Sequence, residues 1–381
     1  MGGRAATAVR QARLLALRGH RVLIGCLPGT WAEQRARELK LTVFPEYHFR
    51  RGFRPLDYLA DCRRLAACCN EHAVDVVHAH VSQESWVACI GAGMARRRPA
   101  VIRSRGVVVP IKPHLFNRWL HNRLTDQVVT PSRVIYDRLC ALPGFRADKV
   151  SCIPDGVDIE RFASTHDGAA VRAEFGVGQL PLVLMVARLE PVKGHAVFFA
   201  ALAQLAQRVR DGKAPDFRAL CACDERTPGV FAATVAAAKS LGLDAPLLQF
   251  TGMRTDIEQF YAAADAVVLP SLGSEGSSRV ALEAAAAARP VVASSVGCLP
   301  EVIEAERTGM LVPPGDAGAL AGALAALLSD RERCRKLGLA ARTRAEALYD
   351  ERRMIEKLEA VYAAALAARS AATPRIAERT P

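Results

Sequence analysis

Asp265-Ala266-Val267-Val268-Leu269-Pro270-Ser271-Leu272-Gly273-Ser274-Glu275-Gly276-Ser277-Ser278-Arg279-Val280-Ala281-Leu282-Glu283 falls into three parts: an apolar strand, a loop of small residues, and an Ala-rich helix. A strand that feeds a helix through such a loop makes an anion site. The first N–H groups of the helix lack intrahelical partners, and with the helix dipole they can hold a diphosphate. Glu275 in the loop and Glu283 in the helix flank that position, where each can accept hydrogen bonds from hydroxyl groups.

The same alternation runs outward in both directions. Apolar, β-branched runs recur near 21–27, 41–44, 74–79, 100–103, 127–130 and 149–153, then near 182–187, 217–221, 247–250, 265–269, 290–293 and 310–312, with Ala/Leu helical patterns between them. Continuous apolar strands separated by helices predict parallel α/β sheets covered on both faces. A chain of 381 residues exceeds one ordinary core, so two doubly wound, Rossmann-like domains are expected. The periodicity breaks at 154–180, giving an N-terminal domain over 1–155 and a C-terminal domain over 156–350. A helix over 351–369 is placed to cross back to the first domain, and the polar stretch 370–381 reads as a disordered tail.

The start departs from this plan. Met1-Gly2-Gly3 leads directly into a helical pattern over 4–18 closed by Gly19, with no strand before it. The expectation is a first domain lacking its first strand, through a late start or a damaged domain, with two neighbouring strands left unpaired on one edge.

A second cluster follows the strand 182–187: Val186-Ala187-Arg188-Leu189-Glu190-Pro191-Val192-Lys193-Gly194-His195. At the carboxyl end of a parallel strand it occupies the ligand edge of such a sheet. Arg188 and Lys193 are placed to neutralise a departing diphosphate.

Composition excludes several classes. No uncharged apolar run reaches the roughly 18–20 residues of a membrane helix, and Arg4, Arg10, Arg13, Arg18 and Arg21 are spread through the start without an export pattern. Eleven cysteines in core-like settings fit a reducing cytosol, and neither Cys68/Cys69 nor Cys221/Cys223 has zinc-site spacing. The charge is concentrated: residues 1–155 hold 25 Lys and Arg against 12 Asp and Glu, while the remainder holds 26 against 27. Such a basic domain suits an anionic membrane surface or a phosphorylated acceptor. No basic stripe interleaved with aromatics and no helix-turn-helix pattern points to nucleic acid.

The order Arg188…Lys193-Gly194, Phe250-Thr251-Gly252, Glu275-x7-Glu283, Pro290-Val291-Val292, Gly297, Pro300-Glu301 and Gly309-Met310-Leu311-Val312-Pro313 resembles the donor domain of the retaining glycosyltransferases of family 4, also called group 1. Gly2-Gly3, Arg18-Gly19-His20-Arg21-Val22, Asp75-Val76-Val77-His78-Ala79-His80 and Ile153-Pro154-Asp155-Gly156-Val157-Asp158 resemble the first domain more loosely. The resemblance implies a GT-B fold of two facing domains and metal-independent transfer of a sugar, with retention, from a nucleotide diphosphate sugar. It requires no cofactor. Carried over, Arg188, Lys193 and Glu275 are the catalytic set. Glu283 binds the ribose, and Gly276, Ser277 and Ser278 offer backbone donors to the diphosphate. Gly2 and Gly3 approach the donor from the first domain, and Met253 and Arg254 lie beside the base. His78, His80 and Arg105 line the acceptor cleft. The commonest family acceptor is a cell-envelope glycan or a lipid-linked glycan, such as that of lipopolysaccharide. This implies a cytoplasmic enzyme peripheral to the inner face of the cell membrane.

Two departures open alternatives. Arg103-Ser104-Arg105 is followed by Gly106 where the family often has a cleft histidine, and Cys221-Ala222-Cys223-Asp224-Glu225 stands where a Gly-rich turn is usual. A catalytically impaired GT-B protein that only binds nucleotide, or a nucleotide-sugar epimerase, would fit the same motifs.

Overall fold

In a computed structural model, residues 3–44, 46–49, 54–108, 111–163, 165–225, 227–273 and 275–372 are described, and they divide into two units. The first comprises residues up to Pro154 together with the chain from Arg352, and the second runs from Asp155 to Glu351. Gly2 and residues 373–381 lie outside the described residues.

The first unit is built from α1 (Gly3–Leu17), β1 (Leu23–Gly25), α2 (Trp31–Glu38), β2 (Thr42–Phe44), α3 (Pro55–His72), β3 (Val76–Ala79), α4 (Ser82–Met94), β4 (Ala100–Ser104), α5 (Leu115–Trp119), β5 (Gln127–Thr130), α6 (Arg133–Cys140) and β6 (Val150–Cys152). All its strand pairs are parallel, in two groups, β1-β2 and β3-β4-β5-β6. Among the described residues no strand lies between β1 and β3. Both have one unpaired edge, and their residues are mostly half-buried where central strands of such sheets are buried. Val22 and Val76, at the two sides of this division, still pack into one cluster with Leu14 and Leu15 of α1.

The second unit contains α7 (Ala169–Glu174), β7 (Leu182–Arg188), α8 (His195–Arg210), β8 (Arg218–Asp224), α9 (Val230–Lys239), β9 (Leu248–Phe250), α10 (Ile257–Ala263), β10 (Ala266–Leu269), α11 (Arg279–Ala286), β11 (Val291–Ser294), α12 (Leu299–Val302), β12 (Gly309–Val312), α13 (Ala317–Ser329) and α14 (Arg331–Leu348). Its six parallel strands run in the order β12-β11-β10-β7-β8-β9. Side chains alternate across this sheet as the two-residue strand period requires. Val183, Met185, Ala219, Cys221, Val268 and Val292 face one core with α8 and α13, and Leu182, Leu184, Leu220, Val267, Leu269 and Val291 face the other with α10 and α11. The strand order reverses between β7 and β10, so the topological switch point lies at their carboxyl ends.

The ends of the expected linker and tail need correction. Within 154–180 the short helix α7 forms against α10, because Val171 and Phe175 supply an apolar face among the polar residues. The last helix, α15 (Glu351–Ala372), continues past the expected end at 369 because Ala371 and Ala372 favour helix. From Met354 onward α15 packs in the first unit, through Ile355, Leu358 and Ala365 against Leu15, Ala100 and Ile102.

Candidate functional site

The loops after β7 and β10 meet at the switch point. The N–H of Leu272 donates to the carbonyl of Val192 at 2.8 Å, tying one loop to the other. Gly194, which closes the first loop at φ +73°, passes so close to the second that a Cβ there would stand 1.9 Å from the carbonyl oxygen of Pro270. Only glycine permits both the left-handed backbone and this approach.

This junction brings Lys193 onto Glu275. Lys193 Nζ donates to Glu275 Oε1 at 2.5 Å, and Ser271 Oγ donates to the same oxygen at 2.6 Å. Glu275 is only 5% exposed, so its charge depends on these donors. Its carbonyl accepts from the N–H of Cys298 at 2.9 Å, which anchors the loop to the turn after β11. That turn requires Gly297, at φ +56°, where a Cβ would lie 2.1 Å from Glu275 O. Gly297→Ala is therefore expected to cost about 2–4 kcal/mol of stability, read as a lower midpoint in urea unfolding. An unchanged midpoint would show that the loop backbone yields without strain.

The start of α11 lies next in the chain. Ser278 caps it at φ +36°, a strained value for a residue with a side chain, and its buried Oγ has no hydrogen-bond partner among the described residues. A strained cap and an unsatisfied buried hydroxyl at a helix N-terminus are what a bound anion would use. Glu283 lies further along the helix, 8% exposed, where Oε2 accepts from Tyr261 Oη and Oε1 from Arg279 Nη2, both at 2.9 Å. Burial, then the adjacent carboxylate, raises the Tyr261 hydroxyl well above its ordinary pKa, so it stays a donor.

Arg188, at the end of β7, forms an ion pair with Glu190. Arg254 is committed elsewhere: its guanidinium bonds to Glu174 and Asp256 at 2.9–3.1 Å and stacks over Phe260 at 4.9 Å. It follows β9, two strands from β7 in the sheet order. Gly276 is buried and Ser277 half-buried in the loop before Ser278. Gly3 opens α1 in the first unit.

In the first unit, His78 at the end of β3 is engaged at both ring nitrogens, Nδ1 by Tyr362 Oη at 2.7 Å and Nε2 by Ser104 Oγ at 2.8 Å. Its ring stacks on that of His80 at 4.2 Å, so the two histidines share one face of the strand end. Burial holds His80 at about pKa 4, so it is neutral at physiological pH. Arg105, after β4, is half-buried, and burial followed by the guanidinium groups of Arg103 and Arg4 lowers its pKa.

Tyr261 and Ser271, which hold the two carboxylates, were not anticipated. The one available signal for Tyr261 was a phenol within the apolar run Phe260 to Ala264, since a buried tyrosine hydroxyl needs a partner.

Two parallel Rossmann-like domains, the second with cations and a helix N-terminus at its switch point, define the GT-B class. Models of glycosyltransferase family 4 and of glycosyl transferases group 1 match residues 1–161 and 180–330, together 312 of 381 residues. The chain belongs to this glycosyltransferase family. It is 34% identical over 220 residues to the D-inositol 3-phosphate glycosyltransferase of Nocardia farcinica, covering 57% of this chain and 48% of that protein. It is also 31% identical over 231 residues to the GDP-mannose-dependent alpha-(1-6)-phosphatidylinositol monomannoside mannosyltransferase of Mycolicibacterium smegmatis, covering 57% and 56%. The chain thus spans about half the length of the curated relatives it matches. In fold it is similar to a glycosyltransferase from Rickettsia africae, with TM-score 0.87 and 22% identity over 96% of this chain and 95% of that one. It is likewise similar to Anabaena HepE in complex with UDP and glucose, with TM-score 0.80 and 22% identity over 95% and 96%.

Proposed function

We propose that the protein transfers a hexosyl group, with retention and without a metal, from a nucleotide diphosphate sugar to a hydroxyl of a cell-envelope or lipid-linked acceptor, working peripherally at the cytoplasmic face of the membrane. The observation that carries this reading is the partly buried Lys193–Glu275 pair beside the strained cap Ser278, whose buried hydroxyl has no partner among the described residues. In such a transfer the bond from the anomeric carbon to the diphosphate oxygen breaks as the acceptor oxygen bonds to the same face of the sugar. The leaving phosphate oxygen takes the acceptor proton, so no protein nucleophile is needed. Lys193, Arg188 and the α11 N-terminus stabilise the developing negative charge, Glu275 accepts from sugar hydroxyls, and Glu283 accepts from the ribose.

His80 and Arg105 belong to the acceptor side. The two relatives' names specify a phosphorylated cyclitol and a phosphatidylinositol mannoside as acceptors. The basic first 155 residues, with Arg4, Arg103 and Arg105 grouped near the ends of β3 and β4, suit an acceptor that carries phosphate.

Calorimetric titration with UDP, GDP and ADP, followed by turnover assays with the matching sugar donors, tests this reading. Tight binding of one nucleotide together with acceptor-dependent release of it supports transfer. Binding without turnover would replace it with a nucleotide-binding role, and donor consumption without acceptor would point to an epimerase.

A further inference from the structure

The first unit carries an exposed apolar cluster that no core uses. Leu115, Phe116 and Trp119 of α5 are 77%, 70% and 47% exposed. At helical spacings of one and four residues they share one side of a short helix. Trp119 is supported from beneath by Trp86, with ring centroids 6.3 Å apart, and the following turn is fixed by the buried Leu120 and His121. The cluster is therefore mounted on the core.

Its charge surroundings are one-sided. From Ser85 to Thr125 the chain has eight Lys and Arg and no Asp or Glu. Lys112, Arg118 and Arg123, all exposed around α5, form no ion pair among the described residues. The nearby carboxylates are already paired: Asp148 with Arg146, Asp137 with Arg133, and Asp126 with Arg98 and Arg369.

From this we infer that α5 and its flanks are the membrane-docking face of the protein, inserting Leu115, Phe116 and Trp119 among the headgroups of an anionic bilayer while Lys112, Arg118 and Arg123 meet lipid phosphates. This inference rests on the peripheral role proposed above and gives it a surface. Apolar tips ringed by unpaired cations fit a lipid interface. A second copy of this chain fits poorly, since symmetric docking would set the same three cations against each other, and three side chains fall far short of the roughly 800 Å² per partner of a stable interface. A single-stranded nucleic acid would engage the cations and stack on the aromatic rings but would leave Leu115, 77% exposed, in water.

Sedimentation with vesicles tests it. The full chain should partition onto phosphatidylcholine vesicles containing about 25% phosphatidylglycerol and only weakly onto pure phosphatidylcholine, with the difference lost in high salt. Leu115→Ser/Phe116→Ser should lower partitioning about tenfold, and Lys112→Gln/Arg118→Gln/Arg123→Gln between about tenfold and 100-fold. Both sets leave the thermal midpoint and nucleotide affinity unchanged, so a failure of docking is separable from a failure of the donor site. In Trp31→Phe/Trp86→Phe, Trp119 is the only indole, and its emission should move to the blue with anionic vesicles alone. Equal binding to neutral and anionic vesicles, wild-type partitioning by both variants, or conversion of a dimer to a monomer by Leu115→Ser/Phe116→Ser would overturn the proposal.

Discussion

Lys193→Ala is expected to lower turnover by about 10²–10³ while donor affinity changes far less. The ammonium sits at the switch point, held by Glu275 through one of its three N–H donors, which leaves the others for the diphosphate. A cation about 4 Å from a developing phosphate charge is worth about 4 kcal/mol at the effective dielectric of a partly buried site. A loss of about 10²–10³ in rate is about 3–4 kcal/mol, so the electrostatic role accounts for the whole effect. The substitution also strips a buried carboxylate of its countercharge, leaving Glu275 with Ser271, and breaking such a pair costs about 3–5 kcal/mol of stability. Stability and turnover must therefore be measured together. Lys193→Ala/Glu275→Gln should recover most of the stability and none of the turnover, whereas Lys193→Arg should retain part of both. Full turnover in Lys193→Ala would remove Lys193 from the mechanism.

That Lys193 and Glu275 would meet was legible from sequence only through motif order. The strands themselves were readable because buried parallel strands are continuous apolar runs: Leu182 to Ala187 and Ala266 to Leu269 could be nothing else in their setting. Placing both loops at the carboxyl edge then followed from the βα alternation. What sequence could not show is which partner each polar group finds. His78 pairs through one ring nitrogen with Tyr362, 284 residues away on α15. Arg254 pairs with Glu174, 80 residues earlier. Each of these bonds depends on how distant helices pack, which local pattern does not encode. The division of the first sheet between β1 and β3 was legible because it is a matter of strand count, visible wherever a βα unit opens on its helix.

The site thus contains two carboxylates set up for different tasks, and kinetics should separate them. Glu283 is fixed before any ligand arrives, by Tyr261 on one oxygen and Arg279 on the other, and it is surrounded by the buried Ala281, Leu282 and Ala284. A carboxylate clamped in this way keeps lone pairs free for two ribose hydroxyls and loses little entropy on binding them. Hydrogen bonds to a charged group are worth about 1.5–3 kcal/mol each, so Glu283→Ala should weaken nucleotide binding by about 10²–10⁴. Because the ribose is held equally in ground and transition states, KM should rise with kcat nearly unchanged at saturating donor, the opposite signature to Lys193→Ala. Glu283→Gln keeps the shape and the Tyr261 bond but not the charge, and should fall between. Tyr261→Phe removes only the clamp, and about a tenfold loss of affinity is expected with kcat preserved. If Glu283→Gln binds UDP, GDP and ADP as the wild type does, Glu283 serves α11 and the fold, and the ribose must be held by another residue.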